Sequence, residues 1–191
     1  MKENKFNEVI PGFSKLIKFL PTKKEIRSLK LYSFKDFYTE SKIKDNQKYY
    51  LNKDFIQKNF QMNSKKKEQD TQFTSLKGLY IFFENDEPIY VGISGNILYR
   101  IKQHMTGRTH FSANLAYLIA VDRFKKNRKK QPNTRESLWK DNRKNIRIIQ
   151  KEMRELWKIA ILPQSENYML YLKEIYLACE LKTKWNSFAT H

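Results

Sequence analysis

The clearest pattern of apolar positions in the chain is a pair of short runs at 79–83 and 89–93. Both are rich in β-branched and aromatic side chains, which are typical of strands. The stretch 84–88 between them reads Glu-Asn-Asp-Glu-Pro, a composition typical of turns. The pattern therefore predicts an antiparallel hairpin.

The register of this hairpin decides which side chains share a face. When Phe83 is placed opposite Ile89, Tyr80 faces Gly92, and the glycine leaves open space over the tyrosine ring. The other face then turns toward the core and consists of Leu79, Ile81, Ile89 and Val91.

Helical periodicity dominates after the hairpin. Ser94 or Asn96 can cap a helix whose buried side carries Ile97, Ile101 and Met105. Later patterns predict an apolar helix at 111–121, a long charged helix that a capping-box sequence at 133–136 opens, a strand at 157–162, and a last helix from 165–166 to about 181. The elements together predict an α+β domain with a small, mainly antiparallel three-stranded sheet flanked by helices.

The first third of the chain predicts a separate extension of helices and loops. Apolar residues recur every three or four positions from Phe6 to Leu20, with an interruption at Pro11. The polar stretch 63–72 marks the boundary, so we expect a basic extension at 1–72 and a domain at 73–191. We expect the extension to support dimerisation or to contact DNA.

The net charge of the chain indicates what kind of partner it binds. The 38 Lys and Arg against 20 Asp and Glu give a net charge of +18, which favours a nucleic acid, although a lysine-rich chain can carry such charge without this role. The excess lies at 1–70 and 107–158, and the second stretch predicts a basic helical insert at about 107–156. Its candidate DNA contacts, each of which could instead be a solvated charge, are Arg108, Lys125, Lys126, Arg128, Lys129, Lys130, Arg143 and Lys144.

Other features exclude several classes of protein. Cys179 is the one cysteine, so the chain has no internal disulfide and no cluster of thiolate ligands. No apolar run is long enough to span a membrane, and the first residues lack the apolar core of a signal peptide. We therefore expect a cytoplasmic protein with no membrane partner.

Glu174 is the most unusual carboxylate in the sequence. It lies on the last predicted helix with Leu170, Leu177 and Ala178 three or four residues away. A carboxylate among apolar neighbours costs free energy unless it is paired or binds a cation. Periodicity alone leaves the alternatives open, since Glu174 could also reach solvent or pair with Lys173.

An ordered set of residues resembles the GIY-YIG nuclease domain over roughly residues 75–191. The segments Gly78-Leu79-Tyr80 and Tyr90-Val91-Gly92 come first, followed by Arg100, then Glu174, then Asn186 twelve residues later. Leu79 and Val91 replace the usual isoleucines. The phrase Thr106-Gly107-Arg108-Thr109-His110 is similar to the restriction-endonuclease-like members. Taken singly, the tyrosines could be strand aromatics, Arg100 a solvated arginine, His104 a surface or capping histidine, and Asn186 a turn residue.

The resemblance implies phosphodiester hydrolysis with one Mg²⁺ or Mn²⁺ in each active site, held by Glu174. It implies that Tyr80 acts as general base or positions water, and that Arg100 lowers the pKa of Tyr80 and binds the scissile phosphate. The remaining roles fall to Tyr90, which would orient phosphate or water, to His104, which would share proton transfer, and to Asn186, which would support the site.

The sequence thus predicts a metal-dependent endodeoxyribonuclease, specifically a type II restriction enzyme that cuts double-stranded DNA at defined sites. We expect a homodimer, because one active site in each chain cuts one strand, and a separately encoded methyltransferase could accompany it. The alternatives are a structure-selective or broad-specificity nuclease of repair, mobile elements or phage defence, and a non-catalytic DNA-binding module.

Overall fold

The computed structural model describes residues 20–43, 46–60, 76–124 and 135–186. The helices of these residues are α1 (Lys23–Arg27), α2 (Phe34–Phe37), α3 (Lys53–Phe60), α4 (Ile97–Thr106), α5 (Asn114–Arg123), α6 (Arg135–Leu156) and α7 (Asn167–Glu180). The strands are β1 (Tyr38–Ile43), β2 (Asn46–Leu51), β3 (Gly78–Glu84), β4 (Glu87–Ser94) and β5 (Lys158–Pro163).

A three-stranded antiparallel sheet in the order β4-β3-β5 forms the centre of the fold. Helices α4, α5 and α6 cover one face, and α7 covers the other. The α+β fold predicted from the sequence is therefore confirmed. The central strand β3 is buried along almost its whole length, which explains its near-continuous apolar composition.

The predicted pairing of Tyr80 with Gly92 is confirmed, but the pairing of Phe83 with Ile89 is wrong. A bulge next to Phe82 shifts the register, and Phe83 lies opposite Pro88. An extra residue in one strand reverses the face on which later side chains lie. Ile89 consequently packs in the same apolar cluster as Tyr80, on the opposite face from Leu79, Ile81 and Val91.

The helices after the hairpin agree with the sequence except at their ends. Asn96 caps α4, since its side-chain oxygen accepts a hydrogen bond from the backbone N–H of Tyr99 at 3.0 Å. The predicted buried side of α4 is confirmed, with Ile97, Ile101 and Met105 all fully buried. Helix α5 begins at Asn114, because residues 110–113 form a turn.

The described part of the N-terminal extension contains an antiparallel hairpin of β1 and β2 that the sequence did not predict. Polar and charged residues alternate with few apolar ones in both strands, so the strand signal is weak. The described residues between 20 and 60 nevertheless contribute to the core of the protein. Tyr32 pairs with Ile159 at the outer edge of β5, while Phe34 and Phe37 join the cluster that contains Tyr80.

Several sequence predictions lie outside the described residues, namely the helix between Phe6 and Leu20, the linker 63–72, the cap at 133–134, and the basic residues 125–130. The proposed domain boundary therefore stays a prediction. In the part of the chain that the model describes, no helix combines the length and apolarity needed to cross a membrane.

Candidate active site

Tyr80 and His104 form a buried hydrogen-bonded pair beneath the β3–β4 hairpin. Tyr80 is 1% exposed and His104 is fully buried, and the phenol oxygen lies 2.8 Å from His104 Nε2. Burial raises the pKa of Tyr80 well above its usual value, while burial and the charge of Arg100 hold the pKa of His104 well below its usual value. A neutral phenol therefore faces a neutral imidazole near pH 7.

The hydrogen-bonding of His104 is incomplete. Its Nδ1 atom is buried and has no partner within the described ranges. When Nδ1 carries the ring hydrogen, Nε2 can accept the phenol proton of Tyr80. The pair is thus arranged so that the imidazole can receive a proton from the tyrosine.

Gly92 makes room for the Tyr80 ring. A Cβ atom at position 92 would lie 2.9 Å from Cε1 of Tyr80 and closer still to its Cζ and hydroxyl oxygen. Such distances are far below van der Waals contact, so only glycine permits the observed ring position. The sequence prediction that this glycine leaves space over the ring agrees with the observed packing.

Tyr90 and Arg100 lie beside this pair and are partly exposed. The ring centroids of Tyr90 lie 6.1 Å from Tyr80 and 5.7 Å from His104. Arg100 donates to Gln103 at 3.1 Å, and its charge lowers the pKa of both tyrosines, although burial outweighs it in each. The guanidinium is therefore placed to attract an anion above the two phenols.

Glu174 lies across from these residues on α7, which packs on β4. It is half-buried, burial raises its pKa, and its charge in turn raises the pKa of Tyr90. The side chain makes no hydrogen bond or ion pair with another described residue, so the alternative pairing with Lys173 does not occur. A half-buried carboxylate without a partner is costly, and a cation would offset that cost.

The fit of a divalent cation can be judged from this donor set. No group of three His, Cys, Asp or Glu residues lies together in the described ranges. Mg²⁺ keeps several of its waters and binds through one or two carboxylates, so Glu174 alone suits such an ion. A site with dedicated protein ligands on all sides would need more donors than these residues supply.

Asn186 acts on the backbone of β4. Its side-chain amide donates to the carbonyl of Val91 at 2.7 Å, and its oxygen accepts from the Val91 N–H at 2.8 Å. The hydroxyl of Thr183 also donates to that oxygen at 2.9 Å. Asn186 therefore fixes the strand between Tyr90 and Gly92 and lies one step from the reacting groups, as a supporting residue would.

Four of the six predicted catalytic residues, Tyr80, Tyr90, Arg100 and His104, come together in the structure. Glu174 is close enough for its charge to act on Tyr90, and Asn186 is attached to the strand that carries Tyr90. The candidate DNA contacts are less concentrated. Arg108, Arg143 and Lys144 are exposed, whereas Lys125, Lys126, Arg128, Lys129 and Lys130 lie outside the described residues.

Sequence reasoning missed the groups that position the site. Gln103 contacts Arg100, and Gln150 on α6 donates to the backbone carbonyls of His104 and Gly107 at 3.3 and 2.9 Å. Gln103 is one turn from Arg100 and could have been found from helical spacing. Gln150 comes 46 residues after His104, so only the tertiary structure reveals its role.

Comparison with known families agrees with this arrangement. Residues 76–152 match the family model of the GIY-YIG catalytic domain, a span that contains Tyr80, Tyr90, Arg100 and His104. The matched domain is therefore a nuclease domain, and its class of substrate is nucleic acid. The chain thus carries a catalytic domain of the GIY-YIG nuclease superfamily at residues 76–152.

No curated protein and no solved structure matches the chain significantly. Glu174 and Asn186 come after the matched residues, so the roles of these two rest on the geometry described above.

Proposed function

We propose that this chain is a type II restriction endonuclease that cuts double-stranded DNA at a specific sequence, with one Mg²⁺ or Mn²⁺ at each active site. One observation carries the proposal. The half-buried carboxylate of Glu174, which pairs with no other described residue, acts electrostatically on Tyr90, and Tyr90 lies beside Tyr80, Arg100 and a neutral His104. The phrase 106–110, which is similar to restriction-endonuclease-like members, supports the finer assignment.

Proton transfer would follow the buried pair. The pKa of Tyr80 is too high for a free phenolate at neutral pH, so Tyr80 can take a proton from water only if it releases its own. His104 Nε2, 2.8 Å away, is the acceptor for that proton. One O–H bond of the attacking water breaks as the phenol re-forms, while the phenol's original proton passes to His104 Nε2. Because burial and Arg100 hold the pKa of His104 well below its usual value, the imidazole would hold this proton only transiently and release it to the leaving oxygen or to solvent.

Arg100 would bind the scissile phosphate and offset the charge that develops on it. Tyr90 would donate a hydrogen bond that orients the phosphate or the water. A divalent cation held by Glu174 would polarise the phosphate and stabilise the leaving oxygen. Asn186 would keep Tyr90 and Gly92 in place through the backbone of Val91.

The test is cleavage of a long phage DNA by purified protein with Mg²⁺, alongside an EDTA control and the Glu174→Ala variant. We expect discrete bands that need both the metal and Glu174, while DNA binding persists in the variant. Full cleavage by Glu174→Ala would contradict the metal assignment. A smear would indicate a broad-specificity nuclease, and no cleavage of duplex, branched or single-stranded DNA would indicate a binding module.

The proposal extends to assembly and location. We propose a homodimer in the cytoplasm, since two active sites are needed to cut both strands in one encounter, and a cognate methyltransferase encoded elsewhere. A monomer in light scattering, both free and bound to DNA, would contradict the dimer.

A further inference from the structure

A large groove lies between strand β2, the end of α4 and the long helix α6. Its volume is about 1030 Å³, and seven of its lining residues are Lys or Arg while none is Asp or Glu. Such a one-sided distribution of charge attracts a polyanion. Two of the cations have structural tasks, because Lys102 donates to the carbonyl of Tyr49 and Arg154 donates to that of Met105.

The remaining cations are available to a ligand. Lys48, Arg108, Arg143 and Arg147 are exposed and form no ion pair with another described residue. Lys151 has only an exposed contact with Glu155 at 4.0 Å, and such a pair contributes little.

The spacing of the cations on α6 suits a regular row of phosphates. Arg143, Arg147 and Lys151 are four residues apart and therefore lie along one side of the helix, over a length of about 12 Å. One DNA strand carries a phosphate about every 3.4 Å along its axis, so the row spans roughly three to four phosphates. Lys48 approaches from the hairpin on the other side of the groove.

The groove is separate from the active site but attached to it. None of the predicted catalytic residues lines it. Lys102 lies two residues after Arg100, about 200° around α4, so the helix stands between the groove and the catalytic cluster. The floor residue Gln150 is hydrogen-bonded to the backbone of His104, which connects the two regions directly.

We propose that this groove, built by the N-terminal hairpin and α6, binds the phosphate backbone of double-stranded DNA away from the scissile bond. The proposal deepens the proposed function, because it assumes that DNA is the substrate. In this proposal, the described part of the N-terminal extension takes part in substrate binding through Lys48.

The experiment compares two variants that lose the same charge, both in the Glu174→Ala background and without divalent metal. The groove variant replaces four lining residues by alanine, namely Lys48, Arg143, Arg147 and Lys151. The control replaces four exposed cations that do not line the groove, namely Lys24, Arg27, Lys58 and Lys158. Binding of a fluorescent 30-base-pair duplex is followed by anisotropy at several salt concentrations.

We expect the groove variant to lower the slope of log K against log salt by at least about two units, since each phosphate contact contributes about 0.9. The corresponding loss of affinity is about 40-fold at 0.15 M salt. The control should stay within about threefold of the parent at that salt concentration, because its cations contact no phosphate. Equal binding by the groove variant and the control would overturn the proposal.

The same series is run with an RNA duplex of the same sequence, and a loss of affinity confined to that RNA duplex would also overturn the proposal. The outcome is independent of cleavage, so failure of the proposed function and failure of the groove can be told apart. If the wild-type protein cuts no DNA, the binding comparison can still be made. If the groove variant binds like the control, the result of the cleavage experiment is unaffected.

Discussion

Replacement of Gly92 by alanine should disable the site by displacing the Tyr80 ring. The new methyl group would lie 2.9 Å from Cε1 of Tyr80 and nearer to Cζ and the hydroxyl oxygen, where carbon atoms normally approach to about 3.5–4.0 Å. Tyr80 is 1% exposed and packs against Phe82 and His104, so the ring has little space to yield.

The expected cost has two parts. Forcing a methyl group into a packed core costs about 1–3 kcal/mol. Movement of the ring also breaks the 2.8 Å bond to His104 and leaves a further buried polar atom unsatisfied, which costs about 1–3 kcal/mol. We therefore expect the free energy of unfolding to fall by about 2–6 kcal/mol and cleavage to be lost.

Gly95→Ala is the matched control. A Cβ atom at position 95 meets no other atom within 4 Å, so stability and cleavage should be unchanged. Urea unfolding monitored by circular dichroism gives the stabilities, and cleavage of phage DNA gives the activity. If Gly92→Ala unfolds within about 0.5 kcal/mol of the parent and cleaves normally, the account of the Tyr80 ring position is wrong.

Three further predictions concern neighbouring groups. Asn186→Ala should lower the free energy of unfolding by about 1–3 kcal/mol, because the N–H and the carbonyl of Val91 each lose a hydrogen bond. Urea titration measures this loss, and Asn145→Ala, at a partly exposed asparagine on α6, is the control. The pKa of His104 in the folded state lies below its unfolded value of about 6.5, so the unfolded chain takes up this proton first as the pH falls. The contribution of His104 to stability is therefore present above about pH 6.5. Below that pH the free energy of unfolding falls by up to about 1.4 kcal/mol per pH unit. Denaturation of the parent and of His104→Gln between pH 7.5 and 5 tests this, and parallel curves would contradict it. Burial raises the pKa of Glu174, so the charged carboxylate destabilises the metal-free fold above that pKa. Glu174→Gln should therefore increase the melting temperature at pH 7 while abolishing cleavage. A lower melting temperature would show that another group compensates the charge.

The sequence predicted most of the catalytic domain because its signals are local. Strand runs, caps and helical spacing were sufficient to locate the β3–β4 hairpin, the start of α4 and the half-buried position of Glu174. The pairing of Tyr80 with His104 was not predicted, since the two residues meet through tertiary packing across 24 positions. A spacing of four between Arg100 and His104 placed them on one face but did not show what that face contacts.

The failures have physical causes that pattern reading does not detect. The bulge beside Phe82 lies at Pro88, which cannot donate a ladder hydrogen bond, whereas the sequence pattern assigned Pro88 to the turn. The hairpin of β1 and β2 has few apolar side chains, and its stability comes from rings such as Tyr38, whose hydroxyl donates to the carbonyl of Leu98 at 2.8 Å. Because the hairpin was missed, Lys48 could not be placed opposite α6.

The order in which the proposed catalytic groups occur along the chain has a consequence for the synthesis of this protein. Tyr80 through His104 are translated first, and Glu174 follows His104 by 70 residues, with Asn186 later still. The second edge of the central strand β3 likewise cannot be paired until β5 has been synthesised. At about 5–20 residues per second, roughly 4–14 s of synthesis separate His104 from the carboxylate. A chain whose synthesis has not yet passed residue 174 therefore lacks the proposed metal ligand, so on the proposed mechanism its nuclease site is still incomplete.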